Sequence, residues 1–328
     1  MSKLIVKKTN FLYVLSIFII FYLSISVANK APGVDPDYYV YYNGFYFSES
    51  KEVTFNLISS SLKSFGFDIK YLFFIYCFLS LLFKFRLLFS FYLKNSLFTF
   101  FFIIICYFFC FFPIWEFTQI RGSLAIGILM YSIYCIKDKK YQLLGILIAI
   151  FFHNSMLILA SLYFSSKIFY IRKYISILLL ILIIIISKEV IGLTAYSVYS
   201  QANWGDEFKI TSFKNFYILL TNIFVFFINY RFYKNDQYYQ FRNVMFLFNI
   251  AFFILCIYVG IFYGSISIRY ADILLFSTIL LLGTLYRNIY ANLFQLFTIV
   301  IVCPYYFHYF FYSDRALFKL DSFLKVFL

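Results

Sequence analysis

The stretch Pro113-Ile-Trp-Glu-Phe-Thr-Gln-Ile-Arg-Gly-Ser-Leu-Ala125 places charged side chains between two long apolar runs, residues 97–112 and 124–136. Charge near hydrocarbon is costly, so it usually faces a protein interior or a water-filled cavity. We therefore expect this stretch to turn between two membrane helices and to present Glu116 and Arg121 to such a cavity. Five residues is not a spacing that shares one helical face, so each of the two should find its own partner.

The composition of the whole chain is that of a membrane protein. Of its 328 residues 64% are hydrophobic and 26% aromatic, which is more apolar surface than a soluble domain of this length can bury. The apolar runs are continuous, which favours helices over strands. We predict an all-α, polytopic integral membrane protein that forms a single transmembrane domain over residues 1–328.

Nine apolar runs are predicted to cross the membrane in full. The first follows three lysines and resembles a signal peptide, but it lacks a small-x-small cleavage site, so we interpret it as a retained helix. The nine predicted spans are residues 11–28, 69–83, 96–112, 120–136, 174–187, 213–230, 244–263, 270–286 and 289–312.

Residues 141–164 are predicted to form a hairpin of two half-helices instead of a tenth span. Lysines precede this run and basic residues follow it, so a single crossing would place one basic cluster outside, against the positive-inside rule. A hairpin keeps both clusters in the cytoplasm and puts His153-Asn154 at its tip. Non-helical backbone at that depth is tolerated only beside protein or water.

With the N-terminus in the cytoplasm, the predicted topology explains the basic character of the chain. Its formal net charge is +14, and this topology assigns all of that excess to cytoplasmic segments, where Lys84 is among the bases. No nucleic-acid partner is needed to explain it. Nearly all acids fall on the outer side, which holds two long polar loops, residues 29–70 and 188–212. Any chemistry is therefore expected on the outer face.

The cysteines and histidines do not indicate a metal site. The six cysteines lie in apolar runs without a C-x-x-C pair, and the chain has only two histidines. Packing explains the cysteines better than zinc binding or disulfides do. We expect no metal and no cofactor.

Several outer residues could carry chemistry, and each also has an ordinary interpretation. Asp35 and Tyr39 lie in a turn that is either an interfacial aromatic belt or a general base beside sugar-stacking rings. Glu116 and Arg121 are either an intramembrane ion pair that fixes packing, or Arg121 clamps an anion near the membrane surface. His153 is either a satisfied core histidine or an acid, base or phosphate ligand. Arg269 and Asp272 form an i, i+3 pair that either packs or binds a second anionic group.

The order of these residues resembles the EpsG/Wzy-like polysaccharide polymerases. The resemblance rests on Gly33-x-Asp35-x-x-x-Tyr39, Glu52, Glu116-x-x-Gln119-x-Arg121-x-x-x-Ala125, Ala149-x-x-x-His153 and Arg269, and it covers most of the chain. The Pro-Gly-Phe that often follows the glutamate in such proteins is replaced here by Val53-Thr-Phe, which puts a role for Glu52 in doubt.

This resemblance implies a metal-independent glycosyltransferase of the bacterial inner membrane. It would act in O-antigen, capsule or exopolysaccharide synthesis and transfer a glycan from undecaprenyl diphosphate onto another lipid-linked repeat unit. Asp35 would be the base, with Glu116 as second choice, and His153 would assist. The substrate would be bound by Arg121, Arg269, Gln119, Tyr39 and Asp272. A flippase and a chain-length regulator of the same pathway would be partners.

The sequence is also compatible with two other functions. A flippase or transporter of lipid-linked oligosaccharide would share the pathway and a basic interior, although inverted repeats are not visible. A membrane acyltransferase with a buried histidine is the other alternative. Its donor would have to arrive from the cytoplasm, where this chain shows few acids and no histidine.

Overall fold

The computed structural model describes residues 2–47, 52–94, 97–193, 208–285, 288–313 and 316–327, and it is all-helical. Helix accounts for 82% of the structure, and the described residues contain no strand. The elements are α1 (Ser2–Ala28), α2 (Tyr38–Phe47), α3 (Val53–Ser64), α4 (Ile69–Lys94), α5 (Leu97–Cys110), a π-helical turn (Pro113–Thr118), α6 (Ile120–Cys135), α7 (Lys139–Phe152), α8 (Met156–Ile168), α9 (Lys173–Gly192), α10 (Phe213–Phe232), α11 (Tyr239–Gly260), α12 (Gly264–Gly283), α13 (Ile289–Phe311) and α14 (Leu320–Leu324).

The helices confirm a multi-pass membrane protein. Six of them, α4 and α9 to α13, are long and apolar enough to cross a bilayer. Shorter apolar helices cover three further predicted spans, at residues 12–28, 97–110 and 120–135. The number of full crossings and the side of the N-terminus stay predictions.

The predicted interruption near His153 is confirmed. Helix α7 ends at Phe152, His153 has an extended backbone with φ −157° and ψ 114°, and α8 begins at Met156. The amide of His153 still donates to the carbonyl of Ala149, so the histidine terminates α7 directly. The antiparallel arrangement of the two halves stays a prediction.

The chain divides into two compact units, and the break at His153 lies at their boundary. The first unit comprises Met1–Ser90, Tyr107–Asn154 and Val300–Leu328, and the second comprises Phe91–Cys106 and Ser155–Ile299. That residues 1–328 form a single domain stays a prediction.

In the first unit, helices α6 and α7 pack closely enough to fix their ends. A Cβ atom at Gly145 would lie 2.2 Å from Oγ of Ser132, so a larger residue here would have to displace that hydroxyl. Gln142 donates to the carbonyl of Ser132 at 3.1 Å. The carboxylate of Asp138 accepts the amide of Lys140 at 2.8 Å and caps the first turn of α7.

The second unit has a core of α10, α11 and α12 joined by neutral polar side chains. Asn249 donates to Asn222 at 2.8 Å, and its own carbonyl oxygen accepts from Ser277 at 2.7 Å. Asn222 also donates to Thr278 at 3.0 Å. Hydrogen bonds of this kind join helices across an apolar interior without burying charge.

Helix α4 corrects the predicted span 69–83 and the predicted charge distribution. It continues to Lys94, because Lys84 does not end the apolar segment: its ammonium is buried against Glu116. The span was predicted to stop where charge appeared, but a paired charge can lie inside a helical bundle. Lys84 is therefore not one of the cytoplasmic loop charges, and the prediction that placed it there is wrong.

The two predicted outer loops have different outcomes. Residues 29–70 are not an irregular loop, since they contain α2 and α3. In residues 188–212, helix α9 extends to Gly192 and Ser212 caps α10 by accepting the amide of Asn215. Residues 194–207 of this loop lie outside the described part of the chain.

Candidate active site

A carboxylate, a guanidinium and an imidazole meet in the first unit. Oε2 of Glu52 lies 3.0 Å from Nη1 of Arg121, and Oε1 of Glu52 lies 2.7 Å from Nδ1 of His153. The side chains of Glu52, Arg121 and His153 are 10%, 21% and 16% exposed, so the cluster is largely buried but partly accessible from outside the unit. We call these three residues the Glu52 cluster.

Three helix ends converge to build the Glu52 cluster. Glu52 occupies the N-cap position of α3, Arg121 is the second residue of α6, and His153 ends α7. The hydroxyl of Thr54 donates to the carbonyl of Phe151 at 2.9 Å, which ties the start of α3 to the end of α7.

Gly122 leaves room beside the histidine. A Cβ atom at this position would lie 3.7 Å from both Cδ2 and Nε2 of His153, so the imidazole faces the backbone of α6 at van der Waals distance. The Nδ1 side of the ring is held by Glu52, and Nε2 is the nitrogen on the opposite side. A carboxylate on one imidazole nitrogen fixes the tautomer and leaves the other for proton transfer.

Aromatic rings surround the guanidinium of Arg121. Its Cζ lies 5.2 Å from the ring centres of both Tyr41 and Phe55, within the range of cation–π attraction. The hydroxyl of Tyr41 donates to the carbonyl of Thr118 at 2.8 Å, so α2 is held against the π-helical turn. The guanidinium is thus positioned by two rings and one carboxylate.

The environment of Glu52 favours its ionised form. Burial opposes ionisation, but the hydrogen bond with His153 and the charge of Arg121 outweigh it and hold the pKa of the Glu52 carboxyl below its usual value. The carboxylate is therefore negative at neutral pH.

Glu116 lies apart from this cluster, in the dry interior. Its Oε1 accepts from Nζ of Lys84 at 2.6 Å and from the hydroxyl of Ser123 at 2.8 Å, and the hydroxyl of Tyr107 also donates to it. The side chains of Lys84 and Glu116 are 1% and 0% exposed. Glu116 and Arg121 therefore have separate partners, as their spacing predicted.

The π-helical turn explains why Glu116 points inward while Arg121 does not. The amide of Gln119 donates to the carbonyl of Ile114, five residues earlier, which widens the backbone by one residue before α6 begins. Ser123, in the first turn of α6, then reaches back to Glu116. Gln119 itself is half-buried at the junction between the turn and α6.

Asp35 also lies in a closed ion pair. Its Oδ2 is 2.8 Å from Nζ of Lys30, and both side chains are 0% exposed. Lys30 also donates to the carbonyl of Phe117 in the π-helical turn. Oδ1 of Asp35 accepts the amide of Asp37 at 3.0 Å. The predicted base therefore faces a lysine in the interior of the unit, away from solvent.

The remaining predicted site residues are distributed between the units. Tyr39 is 58% exposed on α2 of the first unit. In the second unit, Oδ1 of Asp272 lies 2.8 Å from Nζ of Lys214, and Arg269 is half-buried one turn earlier on α12. The roles proposed for these residues stay predictions.

Sequence reasoning placed Arg121 and His153 in the site but left Glu52 in doubt. Glu52 is separated from His153 by 101 residues, so no local spacing connects them. One signal was present, since an acid at the start of a helix is favoured by the helix dipole. Among the described residues, no group of three or more histidine, cysteine, aspartate or glutamate side chains could hold a metal ion.

These features define a polytopic helical membrane protein with a carboxylate–arginine–histidine site at the ends of its helices. The sequence model of the EpsG family matches residues 12–323, nearly the whole chain, and the chain belongs to that family. The predicted resemblance is thus confirmed. The family consists of polymerase-like proteins of polysaccharide biosynthesis, which supports an enzyme of the glycosyltransferase kind. No curated protein and no solved structure matched the chain.

Proposed function

We propose that this protein polymerises a surface polysaccharide from repeat units carried on undecaprenyl diphosphate. One observation carries the assignment of the site: the buried carboxylate of Glu52 bridges Arg121 and His153 where α7 breaks. An anion clamp next to an oriented imidazole suits a reaction in which a diphosphate leaves and a hydroxyl attacks.

In the proposed reaction His153 is the general base. The hydroxyl of the acceptor sugar attacks the anomeric carbon of the donor glycan, and its proton passes to Nε2 of His153. The bond between the anomeric carbon and the phosphate oxygen breaks, and undecaprenyl diphosphate leaves with the electron pair. Glu52 holds the proton on Nδ1 and stabilises the imidazolium that forms.

Arg121 is proposed to bind the leaving diphosphate. One of its nitrogens contacts Glu52, and a guanidinium has further N–H donors for phosphate oxygens. For Arg269, in the second unit, the phosphate-binding role that the resemblance implies stays a prediction. Asp35 and Glu116 each face a lysine in the dry interior, so these contacts support His153 better than either carboxylate as the base.

The proposed location is the outer face of the bacterial inner membrane. Donor and acceptor would both be lipid-linked, so they would reach the Glu52 cluster from the bilayer. A flippase would supply the repeat units, and a chain-length regulator would limit the product. The resemblance implies both partners, and the flippase would move the lipid-linked unit to the outer leaflet first.

The test is the surface glycan of a strain that lacks the gene. We expect the deletion to leave a single repeat unit on the surface and the wild-type gene to restore the long-chain ladder on a gel. A normal ladder in the deletion strain would overturn the proposal. Lipid-linked repeats retained on the cytoplasmic face would instead identify a flippase.

A further inference from the structure

One face of α3 carries a row of polar side chains that continues from Glu52. Asn56 lies one turn beyond Glu52, and the row continues at the spacing of a helical face. We call this row the α3 stripe, and its members are Asn56, Ser59, Ser60 and Lys63.

The α3 stripe lines a groove between α2 and α3. The groove has a volume of about 410 Å³, and Gly44 on α2 contributes to it as well. It is an open feature of the first unit, lined in addition by the aliphatic side chains of Val53 and Leu57. Neutral hydrogen-bonding groups and aliphatic surface are thus combined along one wall.

Ser59 and Lys63 indicate that this wall is built for a polar ligand. Ser59 is 3% exposed, and its hydroxyl has no hydrogen-bond partner among the described residues. A serine buried in a helix normally donates to a backbone carbonyl one turn earlier, as Ser24 does to Ile20. Lys63 forms no ion pair within the described chain, where its ammonium lies 5.8 Å from the ring of Phe45.

We propose that this groove binds the glycan of the lipid-linked substrate, with an acidic sugar residue at Lys63. The proposal rests on the polymerase function proposed above, because it takes the α3 stripe as the path along which the sugar chain leaves the Glu52 cluster. Ser59, Ser60 and Asn56 would bond sugar hydroxyls, and Lys63 would pair with the acid group.

An anionic phospholipid headgroup is the competing occupant. Headgroup sites are typically clusters of several lysines and arginines, whereas three of the four members of the α3 stripe are uncharged. The stripe also starts one helical turn from the Glu52 cluster, where a glycan substrate must be present for the proposed reaction. Both features favour the sugar chain.

Photocrosslinking in living cells tests the occupant directly. The full-length protein would carry p-benzoylphenylalanine in place of Ser60, which lines the groove, or in place of Ser61, which is exposed and outside it. After irradiation, we expect a glycan-reactive gel shift at position 60 at least about tenfold stronger than at position 61. Equal shifts at both positions, no shift at either, or a crosslink to phospholipid alone would overturn the proposal.

A charge substitution tests the acidic sugar. Lys63→Gln should lower the yield of the crosslink at position 60 about tenfold and shorten the polymer, because a charge-assisted hydrogen bond is lost. Lys70→Gln is the matched control, since Lys70 is exposed and does not line the groove. Suppose that the deletion strain shows a single repeat unit but the crosslink is unchanged in Lys63→Gln. That result would overturn this inference and leave the polymerase function intact. A normal ladder in the deletion strain would instead reject the function itself.

Discussion

The two units bury polar groups in different ways. In the first unit, Lys84 lies fifteen residues into α4 and forms a full ion pair with Glu116 in the dry interior. In the second unit, the interior contacts of Asn222, Asn249 and Ser277 are neutral. The second unit also has ion pairs, but they lie at helix ends. Lys214, which pairs with Asp272, is the second residue of α10, and the buried Arg242, which pairs with Asp236, is the fourth residue of α11.

The two units therefore differ in where along the helices their buried ion pairs lie. Burying an ion costs several kcal/mol even when it is paired, whereas a buried amide that is hydrogen-bonded costs much less. The charged interior of the first unit surrounds the π-helical turn that precedes Arg121. The free-energy cost of burying these ions therefore falls in the region of the proposed chemistry.

The largest effect is expected from Arg121. Arg121→Ala removes the proposed diphosphate ligand and its ion pair with Glu52, so polymerisation should fall by a factor of about 10² to 10³. The surface glycan of the complemented deletion strain measures this, with the amount of protein in the membrane as a check. Arg231→Ala, on the exposed end of α10, is the control and should give a normal ladder. A normal ladder in Arg121→Ala would contradict the proposed role.

The Lys84–Glu116 pair should dominate the stability of the first unit. Lys84→Met leaves the carboxylate of Glu116 buried without its cation, and removal of one partner of a buried pair costs about 3–5 kcal/mol. Thermal unfolding of the purified protein in detergent would measure this loss. The double variant Lys84→Met with Glu116→Gln should recover most of it, since no unpaired charge then remains at this site. Equal stability of the single and double variants would show that the pair is not coupled.

The neutral network of the second unit should be less sensitive. Asn249→Ala removes hydrogen bonds to Asn222 and Ser277, and we expect a loss of about 1 kcal/mol, since interhelical hydrogen bonds in membrane proteins are individually modest. The same unfolding measurement applies. If Asn249→Ala lowered the free energy of unfolding as much as Lys84→Met does, the two units would not differ in their sensitivity to loss of a buried polar contact.

The smallest effect concerns pH. The pKa of Glu52 is lowered in the folded protein, so its contribution to stability is complete above about pH 5 and is lost as the pH falls through the folded pKa. Wild-type stability should therefore decline more steeply below pH 5 than that of Glu52→Gln. Parallel curves for the two proteins would show that the carboxylate is not stabilised by His153 and Arg121.

The sequence predicted the features that depend on local pattern. Continuous apolar runs predicted the helices, and the basic clusters on either side of residues 141–164 predicted an interruption, which lies at His153. The spacing of Glu116 and Arg121 correctly predicted separate partners. These predictions succeed because run length, charge and helical periodicity are properties of neighbouring residues.

The sequence could not predict which distant residues pair. Lys84 resembles a charge that ends a span, and only its contact with Glu116, 32 residues away, explains why α4 continues. In the sequence Asp35 resembles an exposed acid in a turn, yet in the structure it forms a buried ion pair with Lys30. Glu52 was doubtful because its neighbours Val53-Thr-Phe depart from the family pattern, while its partners lie far along the chain.

The two histidines of the chain provide the most direct test of the proposed site. His153 contacts Glu52 at the break after α7, whereas His308 is exposed near the end of α13. In the complemented deletion strain, His153→Asn should leave a single-repeat surface glycan, and His308→Asn should restore the long-chain ladder. A long-chain ladder in His153→Asn, at normal protein levels in the membrane, would contradict the assignment of the Glu52 cluster as the site of polymerisation.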